Sequence, residues 1–149
     1  MTIEEEIKQT KFKSQQQKAV LNLLFTANYI QNKQRELFEP FGITGQQYNI
    51  LRILRGQHPN TISAVEIKSR MLDKNSDVSR LLDRLIAKSL IQKSQCPNDK
   101  RASEIIITES GLTLLKELDS AIHNIEKKLL MLSAEESDKL NELLNKCRG

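Results

Sequence analysis

The sequence is poor in most of the residues that announce a particular chemistry. It has no Trp, aromatics are 4% of its 149 residues, and Gly (5) and Pro (3) are scarce. So little ring and turn material disfavours a β-sandwich, a collagen-like chain and a Gly-rich nucleotide-binding fold. Two cysteines, Cys96 and Cys147, make neither a disulfide framework nor a CxxC half-site for a metal. His58 and His123 stand far apart without ligand spacing around either, so neither a metal nor a cofactor is expected. The apolar runs at 20–25 (interrupted by Asn22) and 105–107 are far too short to span a bilayer, which leaves no membrane partner. The start Met1-Thr2-Ile3-Glu4-Glu5-Glu6 is acidic and has no apolar core, unlike a signal peptide, and the chain reads as soluble and cytoplasmic. Phosphate-cradling Gly loops, a nucleophile elbow and HExxH are missing too, and the chain does not read as an enzyme.

What is present favours helices. Hydrophobic residues at 38% and charged residues at 28% suit one folded domain with appendages. The net charge of +4 is small, but it is unevenly placed. Residues 1–61 carry eight basic and five acidic side chains, 62–103 carry nine against five, and 104–149 carry six against nine. A basic middle and an acidic end suit a body that turns its centre toward a polyanion.

Periodicity divides the chain further. Val20, Leu23, Leu24, Ala27, Ile30, Leu37, Phe38 and Phe41 form a broken helical stripe that Pro40 and Gly42 end. The first 18 residues are helix-compatible, with little to bury. Thr44-Gly45-Gln46-Gln47, Ser63-Ala64-Val65-Glu66 and Ser133-Ala134-Glu135-Glu136 each read as a capping box opening a helix. Val78, Leu81, Leu82, Leu85 and Ile86 mark another helix, with Asn75 or Ser76 as its N-cap. Short, partly β-branched runs at 90–96 and 102–108 flank the polar tip Pro97-Asn98-Asp99-Lys100-Arg101, a hairpin pattern. Thr108-Glu109 then opens a long helix with Leu112, Leu115, Leu118, Ile122, Ile125, Leu129 and Leu132 on one face. Helices closely followed by a two-stranded hairpin make a mainly α chain with a winged helix-turn-helix and long terminal helices.

Five segments carry a resemblance. They are Ile43-Thr44-Gly45-Gln46-Gln47-Tyr48-Asn49-Ile50-Leu51, Val78-Ser79-Arg80-Leu81-Leu82-Asp83-Arg84-Leu85, Leu90-Ile91-Gln92-Lys93, Asn98-Asp99-Lys100-Arg101 and Ile107-Thr108-Glu109-Ser110-Gly111. In this order and spacing, residues 43–115 resemble the MarR family of bacterial transcription regulators. The resemblance implies a homodimer whose terminal helices interlock. It further implies recognition helices in successive major grooves of a pseudo-palindromic operator, wings in the flanking minor grooves, and often a small phenolic or lipophilic effector. The expected regions are 1–42 for dimerisation, 43–108 for DNA binding and 109–149 for dimerisation. Ser89 stands where the family usually has Gly, which costs roughly 1 kcal/mol if that position needs a positive φ. Lys68 and Lys93 replace the more usual Ala and Arg. The reactive Cys of the peroxide-sensing branch has no counterpart in the first helix.

Candidate DNA-binding residues follow. Ser76, Asp77, Ser79 and Arg80 lie at the start of the expected recognition helix, where side chains reach base edges, and Arg is the commonest reader of guanine. Arg101 suits a narrow minor groove, with Asp99 placed to hold its guanidinium and Lys100 beside it. The same tip residues equally make an ordinary solvated turn. Arg84, Lys68, Lys74 and Lys93 are candidate phosphate contacts, with Arg70 and Lys88 as further members, although each is also a normal solvated helix or strand position. The Leu112–Leu132 stripe reads as a dimer seam or an internal core face. Cys96 is either a redox switch beside the wing tip or an indifferent strand-end residue, and Cys147 reads as packing. The competing function is a helical dimeric protein–protein adaptor that has lost DNA binding.

Overall fold

The computed structural model describes residues 1–96 and 99–149, with 95, 96, 99–103, 129 and 130 described by backbone alone. Its elements, in chain order, are α1 (Ile3–Glu6), α2 (Gln15–Phe38), a 3-10 turn (Glu39–Phe41), α3 (Gly45–Gln57), β1 (Ile62–Ser63), α4 (Ala64–Arg70), α5 (Val78–Ala87), β2 (Ile91–Cys96), β3 (Asp99–Ile107), α6 (Glu109–Leu130) and α7 (Ala134–Arg148). The described chain forms two compact bodies, Met1–Lys116 and Glu117–Gly149, and α6 runs through the boundary.

Local chemistry explains most helix starts. Thr44 accepts from the Gln47 amide at 3.2 Å while Gln47 reaches back to the Thr44 amide at 3.1 Å, so the expected box is complete. Ser133 and Glu136 close another box at the head of α7. Ser63 caps α4 from one side only, because the Glu66 carboxylate turns to Arg70 at 2.8 Å instead of returning to the cap. The polar N-terminus holds more structure than its composition suggests. A Thr2/Glu5 box opens α1, Ile3 is buried, and the Lys18 ammonium beside Glu4 holds that carboxyl below its usual range.

The sheet runs β1-β3-β2, both pairings antiparallel. Two of its features differ from the sequence reading. β1 is only two residues long, too short to show any periodicity, yet it pairs Ile62 with Ile105 and Ser63 with Glu104. β3 begins at Asp99, so residues 99–101 belong to the strand and not to a five-residue tip. Cys96 lies opposite Asp99 and Gln95 opposite Ser103, a register shift that sets residues 100–102 against a single step of β2. Turn-forming side chains suggested a loop here, but a ladder requires only an extended backbone with free amides and carbonyls.

One apolar core holds this region. Ile50, Leu51 and Leu54 of α3 are buried with Ile67 of α4, Leu81, Leu82 and Leu85 of α5, and Ile91, Ile105 and Ile107 of the sheet. Each such side chain contributes roughly 1.5–3 kcal/mol of burial, enough to keep three short helices and a small sheet in one arrangement. Phe38, at the end of α2, stacks on Tyr48 of α3 with ring centroids 4.7 Å apart. That contact joins the long N-terminal helix to the winged region.

The end of α5 carries backbone strain. Ser89 has φ +59, its amide donates to Ile86 O at 2.9 Å, and the Leu90 amide donates to Leu85 O at 3.1 Å. This is a Schellman stop with Ser in the left-handed position normally taken by Gly. An L-residue there costs roughly 1–2 kcal/mol, partly offset because Gly loses more entropy on folding. Ser89→Gly is therefore expected to raise stability by about 0.5–1 kcal/mol, read as a higher denaturant midpoint at constant m-value. A lower midpoint would show that the Ser89 side chain contributes more than its conformation costs.

Candidate nucleic-acid interface

α4 and α5 form a helix-turn-helix in which α5 presents two faces. Val78, Leu81, Leu82 and Leu85 are buried, whereas Ser79, Arg80, Asp83 and Arg84 are exposed. Steps of three and four residues place Arg80 and Arg84 one turn apart on the outer face. Neither has an ion-pair partner among the described residues, so both guanidiniums are available to an outside anion. Ser79, at the second helical position, stands on the same open side.

The start of α5 differs from the sequence expectation. The N-cap is Asp77, whose carboxylate accepts from the Arg80 amide at 3.2 Å, and neither Asn75 nor Ser76 holds that place. Asn75 instead donates its backbone N–H to Asp73 Oδ1 at 2.9 Å within the preceding turn. Ser76 is 4% exposed, and its hydroxyl donates to the Asp73 carbonyl at 2.8 Å. A buried, bonded hydroxyl braces the turn and is poorly placed to read a base. Asp77 is exposed but committed to the helix start, and its charge opposes a phosphate.

The other candidates divide by what they touch. Lys68 on α4 and Lys93 on β2 are exposed. Lys74 is exposed, with its ammonium donating to the Ser69 carbonyl. Arg70 is held by Glu66 at 2.8 Å, and the Lys88 ammonium donates to the Gly42 carbonyl, so these two, like Lys74, already have internal partners. Asp99, Lys100 and Arg101 belong to the β3 backbone, and their side chains lie outside the described residues, as does that of Cys96. Cys147 is exposed on α7, where the sequence suggested packing. Among the described residues there is no group of three or more His, Cys, Asp or Glu able to hold a metal.

Two residues that the sequence reading passed over shape this surface. Asn49 of α3 is 6% exposed, and its Oδ1 accepts from the Leu72 amide at 2.9 Å, just past the end of α4. Gln46, one turn earlier, donates through Nε2 to Asp73 Oδ2 at 3.2 Å and to Ser76 Oγ at 3.4 Å. An Asn lodged directly before the buried pair Ile50-Leu51 is the signal in the sequence that could have exposed this tie.

The arrangement matches known proteins. The model of the MarR family matches residues 43–103. A crystal structure of a MarR transcription factor from Planctomyces limnophilus is 32% identical, covers 93% of this chain and 98% of its own, and superposes with a TM-score of 0.72. The chain belongs to the MarR family. A cysteine-to-serine mutant of MarR from E. coli, solved in complex with operator DNA, is 25% identical over 84% of this chain and 89% of its own, with a TM-score of 0.74. An uncharacterized HTH-type transcriptional regulator of Bacillus subtilis, YdgG, is 36% identical over 90 residues. That match covers 59% of this chain and 58% of YdgG, so the chain spans about three fifths of the relative's length. The winged helix-turn-helix of the MarR fold is thus present, with α5 as its second helix. No described helix is long and apolar enough to cross a membrane.

Proposed function

We propose that this chain is a sequence-specific, double-stranded-DNA-binding transcription regulator, acting as a cytoplasmic repressor without catalytic activity. The observation that carries the reading is the outer face of α5, where Arg80 and Arg84, without ion-pair partners among the described residues, project from a helix held by four buried side chains. Ser79 and Arg80 contact base edges in the major groove, while Arg84, Lys68, Lys74 and Lys93 contact phosphates. Arg101, flanked by Asp99 and Lys100, enters the minor groove. Ser76 and Asp77 support these contacts from the helix start. The family match and the DNA-bound MarR of E. coli support this assignment of parts.

The DNA-binding region of 43–108 works between dimerisation regions at 1–42 and 109–149. Support comes from α2, where Val20 is 54% and Leu24 59% exposed, with Leu23 and Tyr29 also open to solvent. A single copy leaves this apolar face without cover, and a homodimer on a pseudo-palindromic operator supplies it. A phenolic effector fits the open cleft of about 740 Å³ whose lining includes Arg35, Thr44, Gln46, Met71 and Asp73. Its lining mixes polar side chains with a larger apolar share, which suits a small phenolic or lipophilic molecule. No specific observation favours the adaptor reading.

Two measurements test the proposal together. Sedimentation of the full chain at micromolar concentration should give a dimer, and duplex DNA should be retained with affinity that falls steeply as salt rises. A well-behaved monomer would remove the two-groove mechanism. A dimer that ignores duplex DNA at low salt would favour the adaptor.

A further inference from the structure

The contacts of α3 with the α4–α5 turn lie outside the set expected to touch DNA. Asn49 accepts from the Leu72 amide, which has just left α4 and has no helical partner there. Gln46 reaches Asp73 and Ser76, the residues that lead into α5. The Ser76 hydroxyl also donates back to the Asp73 carbonyl, so the turn is closed on itself and tied to α3 at Leu72, Asp73 and Ser76. We infer that Gln46 and Asn49 are positioning residues for DNA reading, fixing the pose of α5 from behind through the α4–α5 turn. The inference rests on the regulator reading above.

The physical reason is the shortness of α4, which spans Ala64–Arg70. Two turns of helix define an axis poorly, and the connection that follows has no regular structure until Val78. Apolar packing of Leu81, Leu82 and Leu85 holds α5 against the core but tolerates rotation and sliding, because such contacts have little directionality. Hydrogen bonds are directional, and three of them from one face of α3 restrict where the N-terminus of α5 can lie. Base reading depends on that end. Of the proposed phosphate contacts, Lys68 on α4 and Lys93 on β2 lie away from that end, and Lys74 and Arg84 reach through long side chains that absorb a small shift, so the non-specific part depends on it much less.

The test separates these contributions. Duplexes selected from a random pool by the wild-type chain serve as the specific probe, and a random-sequence duplex of equal length as the non-specific one. Gln46 is exposed, so Gln46→Ala should fold normally. Asn49→Ala leaves the Leu72 amide unbonded, and Asn49→Asp keeps the acceptor and should rescue it. Each alanine variant should lower the specific-to-non-specific affinity ratio about tenfold, Asn49→Ala through one lost hydrogen bond and Gln46→Ala through two longer ones, with an unchanged salt slope. Amide exchange at residues 72–80 should quicken by a similar factor while the core of α3 keeps its protection.

An equal loss on both duplexes would assign the residues to general stability and overturn the inference, as would an unchanged ratio. Failure of Asn49→Asp to recover the ratio lost in Asn49→Ala would also count against it. A wild-type chain that selects no duplex would remove the regulator reading and this inference with it.

Discussion

Gly111→Ala is expected to destabilise the chain by about 3 kcal/mol, lowering the denaturant midpoint without changing the m-value. Gly111 is buried in the first turn of α6, directly after the wing. A Cβ at this position would sit 2.4 Å from the Leu90 carbonyl oxygen and 2.6 Å from Ile107 Cγ1. The first of these atoms is backbone, already accepting from the Thr108 amide at 3.1 Å, so it has nowhere to retreat. Thr108 adds two further bonds, donating its hydroxyl to Ser89 O at 2.7 Å and accepting from the Gly111 amide at 3.2 Å. The end of α5, the root of the hairpin and the start of α6 therefore meet at one knot. Moving α6 outward to admit a methyl group would break several of these bonds. An unfolding free energy within about 0.5 kcal/mol of wild type would show that the knot yields freely.

The knot also shows what the sequence makes legible. Ile107-Thr108-Glu109-Ser110-Gly111 is readable as a strand passing into a capped helix, and Thr108 does bond the Gly111 amide. The need for Gly is not readable, because it arises from Leu90, which lies far back in the chain. Caps at Thr44 and Ser133 were legible for the same local reason: donor and acceptor lie three residues apart. The cap of α5 was not, since Asn75, Ser76 and Asp77 are all competent and tertiary contacts choose among them. Ser76 is buried against Asp73 and Gln46, which leaves Asp77 to take the helix end.

The functional surface divides along the same line. Helical spacing separates Arg80 and Arg84 from Val78, Leu81, Leu82 and Leu85, and the structure exposes the first pair and buries the second group. By contrast, Arg70 and Lys88 looked equivalent to Lys68 and Lys93 as cations in a basic region. Only folding shows that Glu66 and the Gly42 carbonyl already occupy them. Composition counts charge, whereas geometry decides which charge is free to meet DNA.

Arg80→Ala and Arg101→Ala are expected to weaken DNA binding in different patterns. Arg80 stands on the outer face of α5, in the first turn, and the contact proposed for its guanidinium is the guanine edge in the major groove. Its loss should cost about 1–3 kcal/mol per half-site on a selected duplex and far less once the base beneath it is changed. Arg101 belongs to β3 at the register shift of the wing. The minor-groove contact proposed for it responds to groove width and negative potential, properties shared by many sequences. Its removal should weaken all related duplexes alike and reduce the salt slope by roughly one unit per subunit. Arg80→Ala should also flatten the slope slightly if the guanidinium touches phosphate, so the discriminating quantity is the ratio between duplexes. Titrations of both variants against two duplexes differing at one base, at several salt concentrations, give that ratio directly. In a dimer each contact occurs once per half-site, which doubles both effects and brings them well above measurement error. Wild-type binding by a folded Arg101→Ala in every titration would show that the hairpin does not contact DNA, and the recognition helices would then have to carry the affinity alone.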